Sequence, residues 1–305
     1  MRLINSSLEI IEQAPGLKGI KQAIERAGRT CYKSEDKITE DSCEEFTQRM
    51  VNSGHHAMLE HGTVYLYIEY GSPVGDPRYF AGTEILIKYN KNKYSKVHSE
   101  IIHNYLHKIY ITTNYRVLVE NGWLDDLQYQ CEPTEYHEKR VTVKFICDRG
   151  VSHEFVRHRV FSFAQESTRY CNYAKSKFGG ELTCIIPEWT ERLDCFSEYT
   201  TELLEQEDVQ DLEELSIAEY RFIQSMCRAE DDYLALLDSQ CTAQQARAVL
   251  PNAVKTELVM TGFISDWKHF FELRCHSTAH PDARALALPL REAFIEKGYL
   301  NGEYL

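Results

Sequence analysis

The chain has 305 residues, 43% of them hydrophobic, and its 34 Lys+Arg against 47 Asp+Glu leave a formal net charge of −13. That apolar content supports a packed core and excludes a chain that stays disordered. The acidity argues against a general nucleic-acid or anionic-membrane surface, so an anionic ligand has to meet a local basic cluster.

The opening MRLINSSLEIIEQ has no apolar stretch of secretory type, and no window approaches the roughly 18 apolar residues of a membrane span. Ten cysteines occur without a CxxC pair, which reads as reduced cytoplasmic thiols and not as zinc ligands. With no repeat and no linker rich in Pro, Gly or Ser, the chain reads as a single domain over 1–305.

Residues 17–27 and 38–51 read as helices, the second with Phe46 and Met50 four apart and Gly54 just past its end. Over 63–69, Val64, Leu66 and Ile68 alternate with Tyr65, Tyr67 and Glu69, the pattern of a strand. Residues 71–95 are turn-rich and basic. The stretch 99–110 is expected to be helical, with His103 and His107 on an exposed face and no third metal ligand nearby. Val141, Val143, Phe145 and Cys147 alternate with Thr142, Lys144 and Ile146 in a second strand ending at Asp148. Gly150 then gives a turn, and Ser152 is expected to cap a short helix running toward Arg159. Residues 182–186 form a third, apolar strand stopped by Pro187, and the base-free acidic run 202–214 reads as a solvated segment. The last third is expected to be helical over 217–237, 243–250 and 266–276. Together these elements predict an α+β (mixed α/β) fold, a central sheet with flanking helices.

The densest chemical signal is RHRVFSFAQESTRY, residues 157–170, which sets Arg157, His158, Arg159 and Arg169 among the hydroxyls of Ser162, Ser167 and Thr168. In a helix over 152–159, Arg159 falls on the apolar stripe of Val151 and Phe155. An inward guanidinium needs a carboxylate or an anionic ligand, and its planar fork suits phosphate. The anomaly recurs near the C-terminus, where Trp267, Phe270 and Phe271 form a stripe whose next position is Arg274. Arg247 is a third candidate, in a helix begun by the capping box of Thr242 and Gln245 and ended before Pro251. His269, His276 and His280 match no zinc signature. With neither a P-loop nor a GxGxxG, these features describe a polyanion site assembled from segments far apart in sequence.

The motif RHRxxSxxxxSxRY resembles the signature of the flavin-dependent thymidylate synthases. AGRTCYKS at 27–34, GHHAMLEHGTVYLYI at 54–68, and QARAVLPNAVKTEL with LRCHSTAHPDAR in the C-terminal part resemble further stretches of that family, in the right order. The resemblance implies the family's fold and reductive methylation of dUMP to dTMP with methylenetetrahydrofolate, using FAD and NADPH. It implies that Arg157, His158 and Arg159 serve the flavin, with Arg157 also near the nucleotide. His61, Thr63 and Cys31 match flavin-contact positions, and His269 stands where the family often has a flavin-binding Asn. Ser167, Arg169, Arg247 and Arg274 match positions that hold dUMP. Arg274, Ser167 and Arg157 are the groups it implies for catalysis, with no metal. Ala164 and Gln165 replace the commoner Asn-Glu, Gln165 remaining the expected substrate contact, and Glu154 replaces a Gln. Residues 70–140 and 188–215 exceed the compact pattern and read as insertions. The resemblance also implies a homotetramer with sites between subunits.

Two other functions fit parts of the sequence. An RNA-binding module would use Phe161, Phe163 and Tyr170 as stacking groups beside the arginines. A catalytically silent nucleotide- or flavin-binding protein would keep the arginines without the chemistry.

Overall fold

A computed structural model describes residues 1–71, 77–102, 106–175, 180–193, 198–204 and 215–300. In chain order its elements are β1 (Arg2–Ile4), β2 (Ser7–Ile11), α1 (Gly16–Tyr32), α2 (Ser42–Asn52), β3 (Thr63–Gly71), α3 (Pro77–Asn90), β4 (Lys96–Ile102), β5 (Leu106–Asn114), α4 (Tyr115–Asn121), β6 (Arg140–Asp148) and α5 (Arg149–Phe155). They continue with β7 (Ser162–Gln165), β8 (Thr183–Ile185), α6 (Thr201–Leu204), α7 (Ile217–Asp238), α8 (Ala243–Ala246), β9 (Lys255–Phe263), α9 (Ile264–Arg274) and α10 (Pro281–Glu296).

The architecture is α+β. A four-stranded antiparallel sheet, ordered β2-β6-β9-β7, lies at the centre. One face carries Val141, Val143 and Phe145 of β6 and Leu258 and Met260 of β9. It packs against Val151 and Phe155 of α5, Trp267, Phe270 and Phe271 of α9, and Leu286, Leu290 and Phe294 of α10. Trp267 is fully buried, and its indole N–H donates to the Val141 carbonyl at 3.1 Å. Burying each of these large side chains contributes roughly 1.5–3 kcal/mol. The Phe161 ring closes over this face so tightly that a Cβ on Gly262 would fall 2.5 Å from it, and glycine is required there.

The other face meets α1, a helix shared between two cores. Ile20 and Ile24 join the core of the three-stranded sheet β3-β5-β4, whereas Ala27 packs on Ala164 and Val259 of the central sheet with Cys31 and Met58 alongside. α1 thereby brings Cys31 to the edge strand β7. A third core joins Met1 and Leu3 to Cys184, Tyr173 and the apolar side of α7, where β1 runs parallel to β8.

Several expectations need correction. Residues 77–90 are a helix, α3, and not part of a turn-rich stretch. The expected helix over 99–110 is instead two strands of the hairpin β4–β5. Ile109 and Ile111 fill the core, while β-branched Thr112 and Thr113 continue the strand. His107 lies in β5 with its ring stacked on Tyr70, and His103 and residues 205–214 of the acidic run lie outside the described residues. Asp148, not Ser152, caps α5: its side chain accepts from the Val151 N–H at 2.8 Å, and Ser152 Oγ donates to the Arg149 carbonyl. The last third is not wholly helical, because β9 runs through the middle of the central sheet. From Thr256 to Phe263 every residue is buried, so the period-2 alternation that marks a half-exposed strand is missing. α10 also went unpredicted; Pro289 interrupts its pattern, although Leu286, Leu290 and Phe294 keep helical spacing. β1 and β2 were not expected either.

Candidate functional site

The chain from α5 through β7 to Tyr170 carries most of the candidate residues. α5 stops at Phe155, and the following residues turn back: the His158 N–H donates to the Phe155 carbonyl, and the Phe161 N–H to the His158 carbonyl. The turn throws Arg159 off the α5 stripe. Arg159 is therefore exposed, as is Arg157, which corrects the inward placement expected for it. Among the described residues neither guanidinium has a carboxylate partner. Between them His158 is buried at 7% exposure, its ring beside Phe270 and Phe161.

Arg274, the last residue of α9, does point inward, and its partners come from this turn. Its Nε donates to His158 Nε2 at 3.0 Å, its Nη2 donates to the Glu154 carbonyl at 2.8 Å, and its Nη1 forms an ion pair with the Glu154 carboxylate. Because Nε2 accepts, the neutral imidazole carries its proton on Nδ1. Burial, and then the charges of Arg274, His269 and Arg157, pull the His158 pKa down to about 4, so the ring stays neutral near pH 7. His269 is mostly exposed, lies 6.3 Å from the His158 ring between centroids, and meets Glu272.

A second group forms at the far end of β7, about 13 Å along the strand. The Ser167 N–H donates to the Cys31 carbonyl at 3.1 Å, tying the motif to the end of α1, and Tyr170 meets Tyr32 at 5.4 Å between centroids. Arg169 Nε donates to Gln244 Oε1 at 3.1 Å, and Arg247 Nη1 to Thr168 Oγ1 at 3.3 Å. The capping box of Thr242 and Gln245 is present and holds α8, and thus Arg247, in place. The structure therefore brings Ser167, Arg169, Arg247 and Cys31 together. Gln165 lies between the two groups, and its Nε2 donates to Ser152 Oγ at 2.8 Å and Thr256 Oγ1 at 3.2 Å.

His61 and Thr63 lie beside the start of β7, where the His61 partner Thr261 pairs with Ser162 and Arg140 bridges Thr63 and Ser162. His61 is 1% exposed on the α1 side of the central sheet, where its Nδ1 faces Thr261 Oγ1 at 2.8 Å and its Nε2 has no partner. Burial, followed by the Arg140 charge, pulls its pKa to about 3. Thr63 Oγ1 accepts from Arg140 Nη1 at 3.3 Å beside a cavity of about 220 Å³ that Tyr65 and Tyr299 also line.

Two features escaped the sequence reading. Arg140 joins the sheets through the Glu60 carbonyl, Thr63 and Ser162, with no carboxylate within 4 Å among the described residues. Glu166 and Glu257 form a buried network with Lys33, Lys144 and Lys255, in which Lys255 meets Glu166 at 2.8 Å. The network borders a cavity of about 420 Å³, and burial next to Lys255 draws the Lys33 pKa to about 8. Five charged residues from four segments gave no local signal; only the αL backbone of Lys33, at φ 47°, is unusual, and it is invisible in sequence. Phe161 is buried at 5% exposure against Trp267, which removes it from the base-stacking surface that RNA binding would use.

The protein is α+β, with one group of arginines at each end of the edge strand β7. Residues 127–297 match the family described as Thymidylate synthase complementing protein, and the chain belongs to that family. Similar proteins include the flavin-dependent thymidylate synthases of Geobacter sulfurreducens, 32% identical over 142 residues, and of Corynebacterium efficiens, 32% identical over 150 residues. The matches cover 47% of this chain, 50% of the first protein and 52% of the second, so the chain spans about half the length of these relatives. A UMP/dUMP methylase, PolB, from Streptomyces cacaoi, solved with 5-Br dUMP, aligns over 97% of this chain and 93% of its own at 16% identity and a TM-score of 0.41. No helix among the described residues is long and apolar enough to cross a membrane.

Proposed function

We propose that the chain is a single-domain, cytoplasmic, FAD-dependent thymidylate synthase that methylates dUMP, acting as a homotetramer with insertions at about 70–140 and 188–215. The one-carbon unit comes from methylenetetrahydrofolate, and two electrons from NADPH reduce it to the methyl group. The observation that carries the proposal is a pair of unneutralised guanidiniums, Arg157 and Arg159, exposed on either side of a buried neutral His158 in an acidic protein. A flavin dinucleotide bears two phosphates, and this donor set fits them, each guanidinium offering two parallel charge-assisted bonds. Arg157, His158 and Arg159 would hold it, with His269, Cys31, Thr63 and His61 as further contacts. Bound flavin supplies hydride chemistry.

The chain's own residues bind and orient the nucleotide. Arg169 and Arg247 present unpaired charge beside the Ser167 hydroxyl, a setting for the dUMP phosphate, and Gln165 is the neighbouring substrate contact. Arg274 and Arg157 stabilise negative charge as it develops on the pyrimidine. No side chain is needed as a covalent nucleophile. Cys171 is fully buried, and burial with Glu166 nearby pushes its thiol up to about 12. His158, the imidazole in this stretch, spends its lone pair on Arg274 and cannot act as a base for Ser167.

The test is spectroscopic. Purified wild type should be yellow, or become so with FAD. Arg159→Ala should lose the colour while staying folded, because one charge-assisted bond is worth about 1.5–3 kcal/mol, about ten- to a hundredfold in affinity. A wild type that remains colourless after incubation with FAD and dialysis refutes the assignment.

A further inference from the structure

Arg274 differs from the other arginines proposed to meet ligands. Among the described residues, Arg157, Arg159, Arg169 and Arg247 have no carboxylate within 4 Å, whereas the Arg274 fork is closed on Glu154. One Glu154 contact is to the backbone carbonyl at 2.8 Å and would survive any side-chain change; the other is the carboxylate ion pair. The Arg274 side chain is 15% exposed and that of Glu154 30%, so the pair sits at the mouth of the site, where a ligand can reach it. Nε is held separately by His158, which keeps the guanidinium in place if the carboxylate leaves.

Resting on the functional proposal above, we infer that Glu154 is an intramolecular counter-ion gating Arg274. Its carboxylate occupies Nη1 of the fork until a pyrimidine oxygen of the nucleotide, whose phosphate is held by Arg169 and Arg247, displaces it. A carboxylate can only accept hydrogen bonds, so it competes for the same N–H group as a pyrimidine oxygen. Exchanging an ion pair for a hydrogen bond to a neutral oxygen offsets part of what the phosphate contacts contribute, and Glu154 thereby weakens dUMP binding and rejects pyrimidines that carry no phosphate. Glutamine at this position would keep the shape and an acceptor for Arg274 Nη1 while removing the charge.

Calorimetric titration of dUMP into wild type, Glu154→Gln, Arg274→Gln and the double variant tests the gate. Glu154→Gln should tighten binding by about tenfold, and the gain should vanish when Arg274 is also replaced. Unchanged or weaker binding in Glu154→Gln overturns the gate. So does an equal gain with and without Arg274, which would mark a general field effect. Repeating the series with inorganic phosphate separates the two claims. If dUMP binds none of the four proteins, the functional proposal fails, whereas a phosphate affinity that Glu154→Gln raises as much as that of dUMP overturns the gate, because inorganic phosphate offers no pyrimidine oxygen. Should the single variant be unfolded by circular dichroism, Glu154→Ala serves in its place with the same expected gain.

Discussion

Replacing Arg274 by lysine keeps the charge but exchanges a fork for a point. In the structure the fork makes three contacts, to His158 Nε2, the Glu154 carbonyl and the Glu154 carboxylate, and one ammonium on a shorter reach can keep only one of them well. Each lost hydrogen bond to a charged group is worth about 1.5–3 kcal/mol, reduced here because Glu154 is partly exposed and solvent screens the pair. His158 Nε2, in a ring only 7% exposed, would also lose its donor. The expected destabilisation is about 2–3 kcal/mol, and at roughly 2–4 °C per kcal/mol for a chain near this size the melting temperature should fall by about 4–12 °C. Binding of dUMP should weaken by more than about tenfold. Thermal denaturation followed by circular dichroism measures the first effect, and calorimetry below the new transition measures the second. A melting point within about 1 °C of wild type together with unchanged dUMP affinity would refute both the packing role and the ligand role of the fork.

The buried imidazoles set a pH dependence. His61 and His158 have folded pKa values near 3 and 4, below the unfolded value of 6.5, so the unfolded chain binds more protons between those limits. Stability should therefore be full above about pH 7 and fall below pH 6.5, by about 1.4 kcal/mol per pH unit for each ring. Urea midpoints at pH 7.5, 6.5 and 5.5 check this, and an acid slope that His61→Asn leaves unaltered contradicts it. Ser167→Ala and Cys171→Ala should each slow turnover without abolishing it, and mass spectrometry of quenched reactions should show no nucleotide on either residue. An adduct combined with complete loss of activity in that variant would overturn the non-covalent mechanism.

What the sequence disclosed follows from what leaves a local pattern. β6 was legible because its inner residues alternate with partly exposed Thr142 and Lys144, and α9 because Trp267, Phe270 and Phe271 sit on one stripe. Arg274 was legible as an anomaly on that stripe, and the need for a negative partner was correct in kind; that Glu154 supplies it depends on a contact spanning 120 residues. Arg159 was misplaced for a related reason. Its inward position assumed that α5 continues to 159, but the helix ends at Phe155, and one broken turn moves a side chain from core to surface. β9 carried no signal because both of its faces are covered, by α9 on one side and α1 on the other, so burial erased the alternation that would have revealed it. The least legible feature is the Lys33, Glu166 and Lys255 network. Glu166 lies inside the most informative motif of the chain, yet its neighbours Gln165 and Ser167 drew attention as polar residues in a basic run. Side chains alternate along an extended segment, so Glu166 projects to the other side of the strand from them, toward α1. Motif reading treats consecutive residues as one surface, whereas the chain divides this motif between Gln165, which meets Ser152 of α5, and Glu166, held in an interior of buried charge.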